Sequence, residues 1–168
     1  MPLNSEAQYV ALGSDITVTH AAEFASALAI RDYPGIAQTY NQVDASNFWV
    51  WRSVLPPEEY TGAGGIVWTE VDALTVGKAR IFEWMTGTLT KPLHPSDSNQ
   101  RQGIQDAFQA QAPTTFANLR VLARRLARRI ERLYVTGTGS TASPGSLGFE
   151  GTVTDRDVAH AVDPTVPL

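Results

Sequence analysis

The chain has 168 residues, 43% of them hydrophobic and 18% charged, with a formal net charge of −4 and no cysteine. That length suits one ordinary hydrophobic core rather than two, and the composition excludes the low-hydrophobicity, high-charge class of disordered chains. The lack of cysteine excludes disulfides, thiolate metal sites and a thiol nucleophile; no apolar run approaches the ~18 residues of a membrane span, and the opening residues lack the basic-then-apolar pattern of a secretory leader.

Residues 1–18 are polar and weakly patterned, which predicts an extended arm or a peripheral strand. Thr19 is placed to cap a helix over 20–31, with Phe24 and Leu28 four residues apart on one face. Asp32-Tyr33-Pro34-Gly35 interrupts it, and Pro34 suits the first turn of a second short helix carrying Ile36 and Tyr40. Phe48-Trp49-Val50-Trp51 has β-favouring side chains and is followed by Pro56-Pro57, so a short extended segment is expected there. After a flexible loop over 61–65, Thr69 and Asp72 resemble a capping box that opens a helix to about Thr86. Leu74, Ile81, Phe82 and Met85 form its apolar face, and Gly87 marks its end. Gly77 inside that helix costs about 1 kcal/mol against Ala, which points to close packing of a neighbour. Residues 91–95 form a stiff connection, and Asp97 or Ser98 caps a helix to about Ala110 with Ile104 and Phe108 inward and Gly103 a weak point.

The clearest helical pattern follows. Phe116, Leu119, Ala123, Leu126, Ile130 and Leu133 alternate by three and four, which predicts one continuous apolar seam. At about 100° per residue, Arg120, Arg124, Arg125, Arg128, Arg129 and Arg132 fall on the opposite half-cylinder. Six arginines against the single acid Glu131 give residues 114–134 a charge of +5, which leaves −9 on the other 147 residues. Residues 136–148 form a Gly/Ser/Thr/Pro-rich loop, read as a flexible docking loop, and 147–150 form a short strand. Thr154 with Asp157 caps a last helix ending before Pro164. The fold class expected from this pattern is mainly α: a single helical-bundle-like domain over 1–168 with an extended N-terminal arm, a Gly-rich loop and minor short strands.

No reaction is legible in the motifs. His20, His94 and His160 are isolated from one another and lack metal-ligand spacing. Ser146 has Pro144 where a nucleophile elbow needs glycine. The Gly-rich loop lacks the Gly-Lys-Ser/Thr ending of a phosphate loop and follows a helix rather than a strand. The carboxylate pairs Glu58/Glu59 and Glu70/Asp72 lie at expected helix starts, where the helix dipole favours negative charge. No catalytic, cofactor or metal residue is therefore assigned.

The arginine face is the strongest polar signal. Guanidinium forks bind phosphate and carboxylate bidentately; the plainer reading is a solvated helix face. Like charges at i,i+4 cost a few tenths of a kcal/mol per pair when unpaired, which favours an acidic partner: an identical neighbouring subunit, another protein, or DNA. Trp49 and Trp51, with Trp68 and Trp84, are interface anchors if partly exposed and core residues if not.

Several runs, FWVWRS at 48–53, IVWTEVDALTVGKARIFEWM at 66–85, RQGIQDAF at 101–108 and ARRIERLYVTGTGSTASPGSLGFEGTVTDRDV at 127–158, resemble a family of small proteins encoded by tailed bacteriophages in virion structural gene clusters. The resemblance covers about residues 48–162. It implies a non-enzymatic particle component, located in the virion and in the host cytoplasm before assembly. The connector between head and tail is the implied position, as an adaptor-like homo-oligomeric ring meeting portal and tail proteins, with possible contact to packaged DNA and none to membrane. A capsid cement or decoration protein and a phosphate-contacting DNA-binding module stand as alternatives.

Overall fold

Local hydrogen bonding sets the first helix. The Ser5 side chain accepts from the Gln8 amide and opens α1 (Glu6–Ser14), which runs into a π-helical turn at Asp15–Thr19. The computed structural model describes residues 3–168 of the chain, which is mainly helical with a few strands of two or three residues. Residues 3–18 are therefore not an extended arm. Tyr9, Leu12 and Ile16 recur at three and four residues and bury together with Leu3, a helical face hidden in the sequence by the polar residues around it. Thr19 belongs to the π turn, and His20 rather than Thr19 holds the N-cap of α2 (Ala21–Ala29).

The chain divides into two compact units, one of residues up to Trp49 with Leu126–Leu168, the other Val50–Arg125. In the first, Asp32 caps α3 (Tyr33–Asn41) through the Gly35 amide, and Phe24, Ile36 and Tyr40 are buried as their spacing predicts. The final helix of the described residues, α10 (Asp155–Val162), carries the expected box: Thr154 and Asp157 each accept the other's amide. α1 packs on α10 so closely that a Cβ on Gly13 would lie 2.1 Å from the Ala161 carbonyl oxygen. Tyr9 donates to Asp157 across this contact at 2.9 Å.

β1 (Trp49–Trp51) leads into the second unit, where α4 (Pro57–Thr61) follows. The single helix expected up to Thr86 is two, α5 (Trp68–Asp72) and α6 (Val76–Thr86), because the chain is extended at Thr75, whose amide donates to Gln111. Gly87 ends α6 in the left-handed region, as its position predicts. Asp97 caps α7 (Ser98–Phe108). Gly103 is less a weak point than a contact: a Cβ there would meet Met85 Sδ at 2.7 Å, so its absence lets α6 and α7 close together.

The long arginine helix does not form. α8 (Pro113–Leu122) stops where the Ala123 amide bonds back to Leu119, and the chain continues as β2 (Arg124–Leu126) and then a four-residue helix, α9 (Arg129–Arg132). β2 pairs with β1. Backbone partners outside the helix decide this: Arg52 donates to the Ala123 carbonyl, and the Ala127 amide donates to Phe48. The ladder replaces a turn of helix in which Arg124 and Arg125 would have faced Arg128 and Arg129 at i,i+4. Ala123, Ala127 and Ile130 bury, but not along one seam.

The Gly-rich segment is folded back on its own chain rather than free. β3 (Val135–Thr136) pairs antiparallel with β4 (Ser146–Leu147), so the strand expected over 147–150 instead occupies 146–147, where the register with β3 places it, and 148–150 are not strand. The Trp49 amide donates to Gly139 and the Trp49 carbonyl accepts from Gly145. Side chains at those glycines would collide with the Phe48 ring, at 2.1 and 2.7 Å, which explains the composition of the loop better than flexibility does.

Candidate functional site

The six arginines expected to share one surface are distributed over both units. Arg120, Arg124 and Arg125 belong to the second, and Arg128, Arg129 and Arg132 to the first. Arg129 is held by the chain itself. Its guanidinium donates to both oxygens of Glu23, at 2.6 and 2.7 Å, and lies over the Phe24 and Tyr40 rings at 5.1 and 4.9 Å. The fork from Arg129 outweighs partial desolvation and holds Glu23 below the usual carboxylate range. Below this pair, Tyr40 donates to Asp15, which also meets His20 at 3.1 Å. Burial first, then the hydrogen bond to Asp15, pushes the Tyr40 phenol well above its ordinary value.

No spacing in the sequence links the members of this network of α2, α3, α9 and the π turn. A carboxylate placed on Arg129 by a residue more than a hundred positions away leaves no local pattern in the sequence. Arg132 stacks on Phe48 at 3.9 Å, and Arg128 donates to the Gly151 carbonyl and stands 3.6 Å from Glu131. Arg124 and Arg125 are half-buried in β2, and Arg120 is exposed on α8 over Phe116. Trp49 is half-buried beside the Gly-rich hairpin, and Trp51 lies half-buried under Arg101 at 4.7 Å.

Several other titratable groups hold local structure. His94 Nδ1 is 2.9 Å from the Ser53 carbonyl, and His160 Nδ1 is 2.6 Å from Val166 with its ring edge-on to Tyr9. Both Glu59 oxygens accept from Arg52. Glu70 lies in the first turn of α5, at a helix start as expected, and also accepts from the Thr114 and Thr115 amides at 3.2 and 2.7 Å, which closes the N-terminus of α8 from a distant position. Desolvation works to raise the Glu70 carboxyl, and the hydrogen bonds from Thr114 and Thr115 bring it down to about 2. Among the described residues, no three or more His, Cys, Asp or Glu converge as metal ligands.

Two features of the second unit stand out. The first is a cavity of about 220 Å³ along α7 and α8, walled by Trp51, Arg101, Ile104, Phe116, Leu119 and Arg120. Its lining includes two guanidinium groups and no carboxylate. Arg101 is anchored by donating to the Pro95 and Ser96 carbonyls. The sequence signal for this wall was the i,i+4 spacing of Arg101 with Gln105 and of Phe116 with Arg120. The second is the outer face of α6, where Val76, Arg80 and Trp84 recur every fourth residue. Trp84 is 83% exposed and Val76 70%. Gly77 lies between them with no atom within 4 Å of where its Cβ would be, so the close neighbour expected there is absent among the described residues. Ile81, assigned to the buried face by spacing, sits at the edge of this open one. Of the four tryptophans weighed as anchors, Trp84 and Trp68 are exposed, and Trp49 and Trp51 are half-buried.

The chain matches no family model, no curated protein and no solved structure.

Proposed function

We propose that this chain is a non-enzymatic structural subunit of a tailed-phage particle, at the connector between head and tail, where copies assemble as a ring against portal and tail proteins. The observation that carries the reading is the uncovered face of α6. An indole 83% exposed beside an exposed valine and a bare glycine is costly on a protein that works alone and is the usual anchor of an interface. The runs resembling phage virion proteins supply the setting. A ring requires two different complementary surfaces on each copy, and the second unit presents an apolar knob and a cationic hollow.

The arginine arrangement supports protein contacts over a phosphate-reading face. Arg129 is tied to Glu23, Arg132 is laid on Phe48, and the six do not line one helix. Quantitative mass spectrometry of purified particles, with the chain located by electron microscopy, tests the proposal. A small fixed number of copies at the tail-bearing vertex is the expected result. Copies in the hundreds would place it on the capsid shell as a decoration protein, and absence from the particle would refute the reading altogether. Salt-sensitive duplex binding that weakens in Arg124→Ala and Arg128→Ala would favour the DNA-contacting alternative.

A further inference from the structure

We infer that copies of this chain associate head to tail, with Trp84 of one copy seated in the α7–α8 cavity of the next. The inference rests on the assembly reading above and names its contact. Size is the first argument. Drug-sized ligands occupy about 300–1,000 Å³, whereas an engineered apolar cavity of about 150 Å³ accepts benzene. A hollow of about 220 Å³ therefore suits a single bicyclic side chain.

Chemistry is the second. The floor is apolar, from Ile104, Phe116 and Leu119, and the guanidinium groups of Arg101 and Arg120 stand in the wall. Indole is the best π partner for a guanidinium, and Arg101 already stacks on one indole of its own chain. The exposed amides of Gln105 and Gln109 at the mouth supply the acceptor that a buried indole N–H requires. Glu83, exposed next to Trp84, would bring a carboxylate to the arginine-bearing rim.

Geometry is the third. Trp84 is too exposed to fill any hollow of its own copy, and Gly77 with Val76 leaves the helix face around it open to a partner. Knob and hollow lie on different helices of the same compact unit, so the contact is heterologous, the type that closes into rings or extends into filaments.

Sedimentation velocity on the full chain across a concentration series tests this with two variants. Trp84→Ala removes the knob, and Gln105→Trp at the exposed rim blocks the hollow. Association of the parent protein is expected, with each variant weakened about 30-fold or more, as for truncation of an interface hot spot. An equimolar mixture of the two variants restores one competent contact and should stop at a 1:1 dimer. Tryptophan emission should shift to the blue on association of the parent and not in Trp84→Ala. A parent that stays monomeric, a Trp84→Ala protein that associates as the parent does, or folded variants whose mixture forms no dimer would each overturn the inference. Loss of association in Trp84→Ala but not in Gln105→Trp would overturn the cavity as the receptor. None of these results bears on whether the chain is found in particles, so the two readings fail separately.

Discussion

The side chain of Glu131 is fully buried in the first unit. One carboxylate oxygen accepts from the Arg128 amide at 2.8 Å and the other from the Gly151 amide at 3.2 Å, joining the start of α9 to the segment before α10. Glu131→Ala removes both acceptors at once. At about 1–3 kcal/mol for each buried donor left unsatisfied, the loss is about 2–6 kcal/mol, a large share of the roughly 5–15 kcal/mol that holds a typical domain together. The Arg128 guanidinium adds little to the sum, since its side chain is 40% exposed and keeps the Gly151 carbonyl. Glu131→Gln retains one acceptor oxygen and turns an NH2 group toward the other amide, so about half the loss is expected. Urea denaturation followed by far-ultraviolet and near-ultraviolet dichroism measures both variants. A Glu131→Ala midpoint within the ~0.5 kcal/mol typical of a surface substitution, or a glutamine variant worse than alanine, would refute this account of the carboxylate.

Other expectations follow from single positions. Gly13→Ala forces a Cβ to 2.1 Å from the Ala161 carbonyl and should destabilise by about 1–3 kcal/mol, whereas Gly77→Ala meets nothing and should stabilise by about 0.5 kcal/mol; their thermal midpoints should move in opposite directions. Glu70 has its carboxyl depressed to about 2, so its contribution is complete above the ordinary carboxylate range near 4.5 and is lost as pH falls through about 2. Stability measured against pH should decline less steeply across that window in Glu70→Gln. Burial first, and then the Asp157 hydrogen bond, raises the Tyr9 phenol from 10 to about 12. Its contribution is therefore present below pH 10 and lost as pH rises through 12, and Tyr9→Phe should remove that alkaline component from both tyrosinate absorbance and the stability profile.

Elements were legible where donor and acceptor lie within one helical turn. Pro34 in the first turn of α3, the Thr154–Asp157 box, Asp97 before α7 and Gly87 after α6 could all be placed from residue type and spacing. Prediction failed where a distant segment outbids the local preference. Six apolar residues from Phe116 to Leu133 describe an uninterrupted helix, but Arg52 and Phe48, on either side of β1, take the Ala123 carbonyl and the Ala127 amide, and Glu131 takes the Arg128 amide. The N-terminal helix failed in the opposite sense: Leu3, Tyr9, Leu12 and Ile16 form a narrow stripe among polar residues, and its value depends on α10 lying across Gly13.

The same division explains the candidate interface. A helix with apolar residues on more than one side reads as buried on all of them, so Ile81 was grouped with Phe82 and Met85 although only the latter two pack into the core. Charge patterning singled out arginines as the surface that needs partners, yet carboxylates and aromatic rings of the same chain supply partners for Arg129 and Arg132. What is left over is aromatic: Trp84, whose helix neighbours at i−4 and i−8, Arg80 and Val76, are exposed as well. Periodicity assigns residues to faces, but only the folded chain shows which face it has failed to cover. On that criterion the outer side of α6, which leaves Trp84 and Val76 exposed, is the face proposed to meet a second molecule, and substitutions there should alter association while leaving the core untouched.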